Sequence, residues 1–145
     1  VGIGWGVSLL AFEAGWPFAN IYGIDNGEMG VDPLQFAHHR IEIAKIASDD
    51  VPEFIHPHGR IDLIHIDGGH GHAQKSRDVV KAFRARPEWI LIDDFHDVMV
   101  AAGTMDGIWK SAANSLHMIY FENSHTGSLL IHAERVAAEN RADYK

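Results

Sequence analysis

The chain contains no cysteine. Disulfides and thiolate metal sites are therefore excluded, and the absence fits a cytoplasmic protein, where disulfides are rare. No apolar run approaches the roughly 18–20 residues needed to span a bilayer, so no membrane span is expected. The start, Val1-Gly2-Ile3-Gly4, lacks the basic stretch that opens a secretory signal. Positive charge is scarce too: 12 Lys and Arg stand against 20 Asp and Glu, a formal net charge of −8. Without a basic stripe the chain is poorly suited to nucleic acid, whose binding rests largely on cations meeting phosphates. The 11 His qualify this, because their full protonation would turn the formal charge positive. Internal repeats, low-complexity tracts and domain linkers are also absent. At 145 residues and 46% hydrophobic, the sequence is expected to form a single domain, 1–145, with a core of its own.

What is present is concentrated between Ile61 and Asp97. Two short apolar runs, Ile61 to Ile66 and Trp89 to Ile92, flank a polar segment with helical spacing, Ala73 to Arg84, with Val79, Val80 and Phe83 on its inner face. Each run ends in acid: Asp67-Gly68-Gly69-His70 after the first, Asp93-Asp94 after the second. This predicts strand, helix, strand, with three Asp and a His at the carboxyl edge of the sheet, where open α/β sheets bind their ligands.

The flanking segments extend the pattern. Val1 to Gly6 reads as the end of a strand and a Gly-rich turn, followed by a helix from Leu9 that Ser8 would cap. A full strand is expected before Val1, so the first strand is read as truncated. Asn20 to Ile24 is a strand ending at Asp25, an acid placed either to bind a ribose diol or to close the turn at Asn26-Gly27. Pro33 to Arg40 suggests a short helix, and Arg40 to Ile46 alternates as a half-wet strand. Ser48 and Asp49 follow it, either at the ligand rim or as caps of a helix starting near Val51. His56-Pro57-His58 reads as a surface turn. Val98 to Ala113 has near-helical apolar spacing, with Met105 and Trp109 expected in the core and Gly103 and Gly107 as weak points. Leu116 to Phe121 and Ser128 to His132, joined by a short turn, predict an antiparallel hairpin.

The Gly2-x-Gly4-x-Gly6 turn, the acid after the second strand, Asp67-Gly68-x-His70 and Asp93-Asp94 together resemble a class I S-adenosylmethionine-dependent methyltransferase. More narrowly, Ile61 to His70 and Ile90 to Asp94 resemble the metal-dependent small-molecule O-methyltransferases, a group that includes enzymes modifying macrolide sugars and methyltransferase family 24. The resemblance covers nearly the whole chain. It implies an α/β fold, a Rossmann-like, doubly wound and mostly parallel sheet ending in an antiparallel hairpin. It further implies that Gly2, Gly4 and Gly6 surround the methionine part of S-adenosylmethionine, that Asp25 binds the ribose hydroxyls, and that Ser48 and Asp49 lie near the adenine. Asp67, Asp93 and Asp94 would bind Mg²⁺ or a similar divalent cation, and His70 would be the general base.

The chemistry is coherent without the family name. An alcohol is a poor nucleophile until its proton leaves, and a hard cation on oxygen ligands stabilises the forming alkoxide. Three carboxylates suit Mg²⁺ better than Zn²⁺. A His three residues beyond a metal-binding Asp can take the hydroxyl proton. Each residue also has a plainer role: Asp67 and Asp93-Asp94 as turn acids, His70 as a loop or cap residue. The expected partner is a small hydroxylated molecule such as a sugar or natural product, and a homo-oligomer is compatible with the sequence. Two other functions stay open: a cofactor-binding module of the same fold without turnover, and a nicotinamide-dependent oxidoreductase. The second is disfavoured because the turn lacks GxGxxG spacing and places Val at position 7.

Overall fold

Short apolar runs bounded by turn formers produce an α/β chain, and the computed structural model describes residues 1–54, 59–111, 116–122 and 126–133. Among them are six strands and three α-helices. The chain divides into two compact units, Val1–Val51 and Pro52–Lys145.

In the first unit, α1 (Val7–Gly15) precedes two parallel strands, β1 (Ile21–Asp25) and β2 (Ile41–Lys45), paired from Ile21↔Ile41 to Asp25↔Lys45. Ile3, Leu9 and Ile41 form the core, with Ile21, Phe36 and Ile43 packed against them. Gly6, not Ser8, occupies the cap position of α1. Its φ of 79° is left-handed, and a Cβ there would sit 2.5 Å from the Phe36 ring, so the turn demands glycine twice over. The expected helix after Pro33 is a 3₁₀ turn, Pro33–Phe36, capped by the Asp32 carboxylate at the Leu34 N–H. Ser48–Asp50 is a second 3₁₀ turn whose cap position is Ala47, so Ser48 and Asp49 are not its caps. Residues 51–54 are not helical, against expectation. His56-Pro57-His58 and the tail beyond residue 133 lie outside the described residues.

In the second unit, β3 (Leu63–Ile66), β4 (Trp89–Ile92), β5 (His117–Phe121) and β6 (Ser128–His132) form one sheet in the order β3-β4-β6-β5. β3 and β4 are parallel; β4 with β6, and β5 with β6, are antiparallel. The one, mostly parallel sheet expected from the sequence is thus corrected to two: a parallel pair, β1-β2, and a four-stranded sheet of mixed direction, β3-β4-β6-β5. The hairpin returns β6 beside β4, and a returning strand must run against its neighbour. β5 and β6 pair antiparallel as expected, while Asn123, Ser124 and His125 of the turn between them lie outside the described residues.

Between β3 and β4 runs α2 (His72–Ala85), and after β4 comes α3 (Val98–Lys110). The two helices pack along each other. Gly103 and Gly107 make this contact: a Cβ at Gly103 would lie 2.5 Å from the His72 carbonyl oxygen, and one at Gly107 would lie 2.6 Å from Val79 Cβ. α3 therefore buries Val100, Gly103, Thr104, Gly107 and Ile108. The expectation for its large residues is reversed, since Met105 is exposed and Trp109 is 84% exposed. On α2, Val79 and Ala82 are buried as core, joined by Lys75, Ser76 and Asp78.

Candidate metal centre

Period-two geometry builds the site. Along β3, Ile64 and Ile66 are buried on one face, so His65 and Asp67 share the other. β4 repeats the pattern with Ile90 and Ile92 buried, which places Asp93 on the same face as Leu91. The parallel register pairs His65 with Leu91 and Ile66 with Ile92. The Asp93 N–H donates to the Ile66 carbonyl at 3.1 Å, carrying the pairing one residue past β4. Asp67 and Asp93 consequently reach one rim from adjacent strands.

His65, Asp67 and Asp93 each present a donor atom within 4.8 Å of the others, close enough to hold one metal ion. Among the described residues, Asp93 is held by hydrogen bonds to one carboxylate oxygen. Its Oδ1 accepts from the Ser128 hydroxyl at 2.8 Å and from the Asp94 N–H at 3.0 Å. Ser128 arrives because β6 runs antiparallel to β4, with Ile92 opposite Leu129.

The electrostatics favour a cation. Burial, then the charges of Asp93 and Asp94, push the Asp67 carboxyl up to about 6, and Lys75 only partly offsets them. Burial pushes the His65 imidazole down to about 4, with Lys75 adding to the effect and Asp93 opposing it. His65 is thus neutral near pH 7, the form that ligates metals. Fully buried Lys75 donates to the Gly68 carbonyl at 2.9 Å, pinning the loop after β3. Burial lowers its ammonium pKa, and Asp67, Asp78, Asp94 and Asp93 oppose that shift. A raised carboxyl among neighbouring carboxylates is what a divalent cation would relieve.

The third carboxylate expected at the metal, Asp94, is placed differently. Its backbone is left-handed, φ 56°, and its Oδ2 lies 3.1 Å from His70 Nε2. His70 Nδ1 is 3.9 Å from Asp97 Oδ2, beyond hydrogen-bond reach. Asp97 meanwhile caps α3 through the Met99 and Val100 N–H groups. Two participants, His65 and Ser128, go beyond the four residues expected from sequence. Strand alternation with Asp67 could have marked His65; Ser128 has no local signal.

The expected cofactor residues lie in the first unit. Gly2, Gly4 and Gly6 all have left-handed φ values, 82°, 51° and 79°. Asp25 ties this turn down: Oδ2 accepts from the Ile3 and Gly4 N–H groups at 2.7 and 3.0 Å, and Oδ1 from Gly27 at 2.6 Å. Burial alone would raise the Asp25 carboxyl, but the Gly4, Gly27 and Ile3 donors together hold it below its usual range. A ribose diol at Asp25 would use acceptor capacity beyond these three bonds. Ser48 is buried and Asp49 exposed. No protein-family model, curated protein or solved structure matches the chain. No helix among the described residues is long and apolar enough to cross a membrane.

Proposed function

We propose that the chain transfers a methyl group from S-adenosylmethionine to a hydroxyl of a small molecule, such as a sugar or natural product, with the help of a divalent cation. The observation that carries this reading is the convergence of His65, Asp67 and Asp93 at the ends of two parallel strands, in the unit where Asp94 tethers His70. When bound, S-adenosylmethionine supplies an electrophilic methyl group and the cation polarises the acceptor oxygen.

The remaining tasks fall to the chain's own residues. Asp67 and Asp93 would hold the cation, here Mg²⁺ or a similar ion. His70, its Nε2 facing Asp94, would take the hydroxyl proton on Nδ1, and Asp94 would fix the ring orientation. In the first unit the Gly2–Gly6 turn would accept the methionine part of the cofactor, Asp25 the ribose and Ser48 with Asp49 the adenine. Asp25 also keeps the turn in shape before any ligand arrives, which lowers the ordering cost of binding. The Rossmann-like, doubly wound arrangement belongs to the same proposal, supported by the order of strands and helices.

Calorimetry with S-adenosylhomocysteine, followed by methyl-transfer assays with and without Mg²⁺, tests the reading. The expected result is cofactor binding by the unaltered chain and cation-dependent transfer that Asp67→Ala abolishes. Failure to bind S-adenosylhomocysteine, or transfer indifferent to both chelator and Asp67→Ala, would overturn it.

A further inference from the structure

We infer that the third protein ligand of the cation is the His65 imidazole rather than the Asp94 carboxylate, and that the site selects a first-row transition ion over Mg²⁺. This deepens the cation reading above and rests on it.

Three observations support the assignment. The donor atoms that converge are one imidazole nitrogen and two carboxylate oxygens, from His65, Asp67 and Asp93. His65 lies on the half-buried face of β3 and Asp67 directly follows its last residue, so both donors come from the carboxyl end of one strand. The outer carboxylates have other duties. Asp94 is turned by its left-handed backbone toward His70, and Asp97 caps α3. Asp93, in contrast, has Oδ1 engaged by Ser128 and the Asp94 N–H, a pair of contacts that orients the group while leaving Oδ2 for a metal.

Ligand chemistry then sets selectivity. Mg²⁺ favours an all-oxygen shell, and replacing one oxygen by an imidazole nitrogen favours Co²⁺, Fe²⁺ or Zn²⁺. One imidazole and two carboxylates also leave positions open for substrate oxygens or water, as a catalytic rather than a structural site requires.

The test uses Co²⁺ and Mg²⁺ as probes on the full chain. Binding is read by calorimetry, and Co²⁺ additionally by its visible absorption. The unaltered chain should bind Co²⁺ more tightly than Mg²⁺. His65→Ala should weaken Co²⁺ by at least about tenfold, change Mg²⁺ much less, and alter the Co²⁺ spectrum; added imidazole should restore that spectrum. His65→Asn serves if the alanine variant does not fold. Asp94→Asn should leave both affinities within a few-fold. Undiminished Co²⁺ binding in both His65 variants, or a collapse of binding in Asp94→Asn, would overturn the assignment while leaving a cation site in place. Absence of binding by either ion to the unaltered chain, or binding unaffected by Asp67→Asn, would overturn the cation reading itself.

Discussion

Replacing Asp67 or His65 by Asn should tilt the stability–pH profile of the cation-free protein in opposite directions. In the unfolded chain their pKa values are about 3.9 and 6.5; in the folded protein Asp67 rises to about 6 and His65 falls to about 4. Between these limits the folded state holds a proton on Asp67 that the unfolded chain lacks. The unfolded chain holds one on His65 that the folded state lacks. Stability rises with pH where the unfolded state binds more protons, so the two contributions oppose each other and nearly cancel. Removing Asp67 leaves the His65 contribution: stability is full above about pH 6.5 and is lost as pH falls toward 4. Removing His65 leaves the Asp67 contribution: stability is full below about pH 4 and is lost as pH rises through 6. One proton corresponds to about 1.4 kcal/mol per pH unit, or about 3 kcal/mol across the window. Solvent reaching the rim reduces this to about 1–2 kcal/mol. Urea unfolding in the presence of a chelator, repeated from about pH 4 to 7, measures the slopes. Slopes of the same sign in both variants would refute the opposed titrations.

Gly107→Ala should lose about 1–3 kcal/mol in denaturant unfolding despite alanine's better helix propensity, because its Cβ would meet Val79 on α2. Asp25→Ala should release three backbone donors, lower stability by about 2 kcal/mol or more, and weaken S-adenosylhomocysteine in calorimetry; unchanged affinity would detach the turn from the cofactor. His70→Ala should lower transfer by about 10²–10⁴-fold while sparing cofactor affinity, and full activity would remove His70 from proton transfer. Asp94→Asn should lower transfer in the same direction but by less, with cation affinity retained.

The segment from Ile61 to Asp97 was legible because its order is local. Two apolar runs of strand length, a helical spacing between them and acids at both ends suffice to place Asp67 and Asp93 at one edge. His65 was legible in principle by the same alternation, but a residue inside an apolar run reads as part of the strand. The direction of Asp94 was not legible, because it depends on one left-handed backbone angle that an Asp only occasionally adopts. Ser128 depends on an antiparallel register between strands 35 residues apart. On α3, Met105 and Trp109 pointed the periodicity the wrong way, while Ile108 of the same spacing is buried. The buried face includes two glycines, Gly103 and Gly107, that let α2 approach, and such a contact is visible only once both helices are in place. The division of the strands into two sheets is likewise a matter of long-range pairing, which local pattern does not encode.

The left-handed backbone at Asp94 has a consequence for how this chain would respond to selection. A glycine would adopt that angle without strain and return about 1 kcal/mol of stability. It would also remove the carboxylate that holds His70. A library screened for heat resistance should therefore enrich Gly at position 94, and the same library screened for turnover should reject it. Opposite outcomes from one pool would mark this position as a place where the fold gives up stability to aim a side chain.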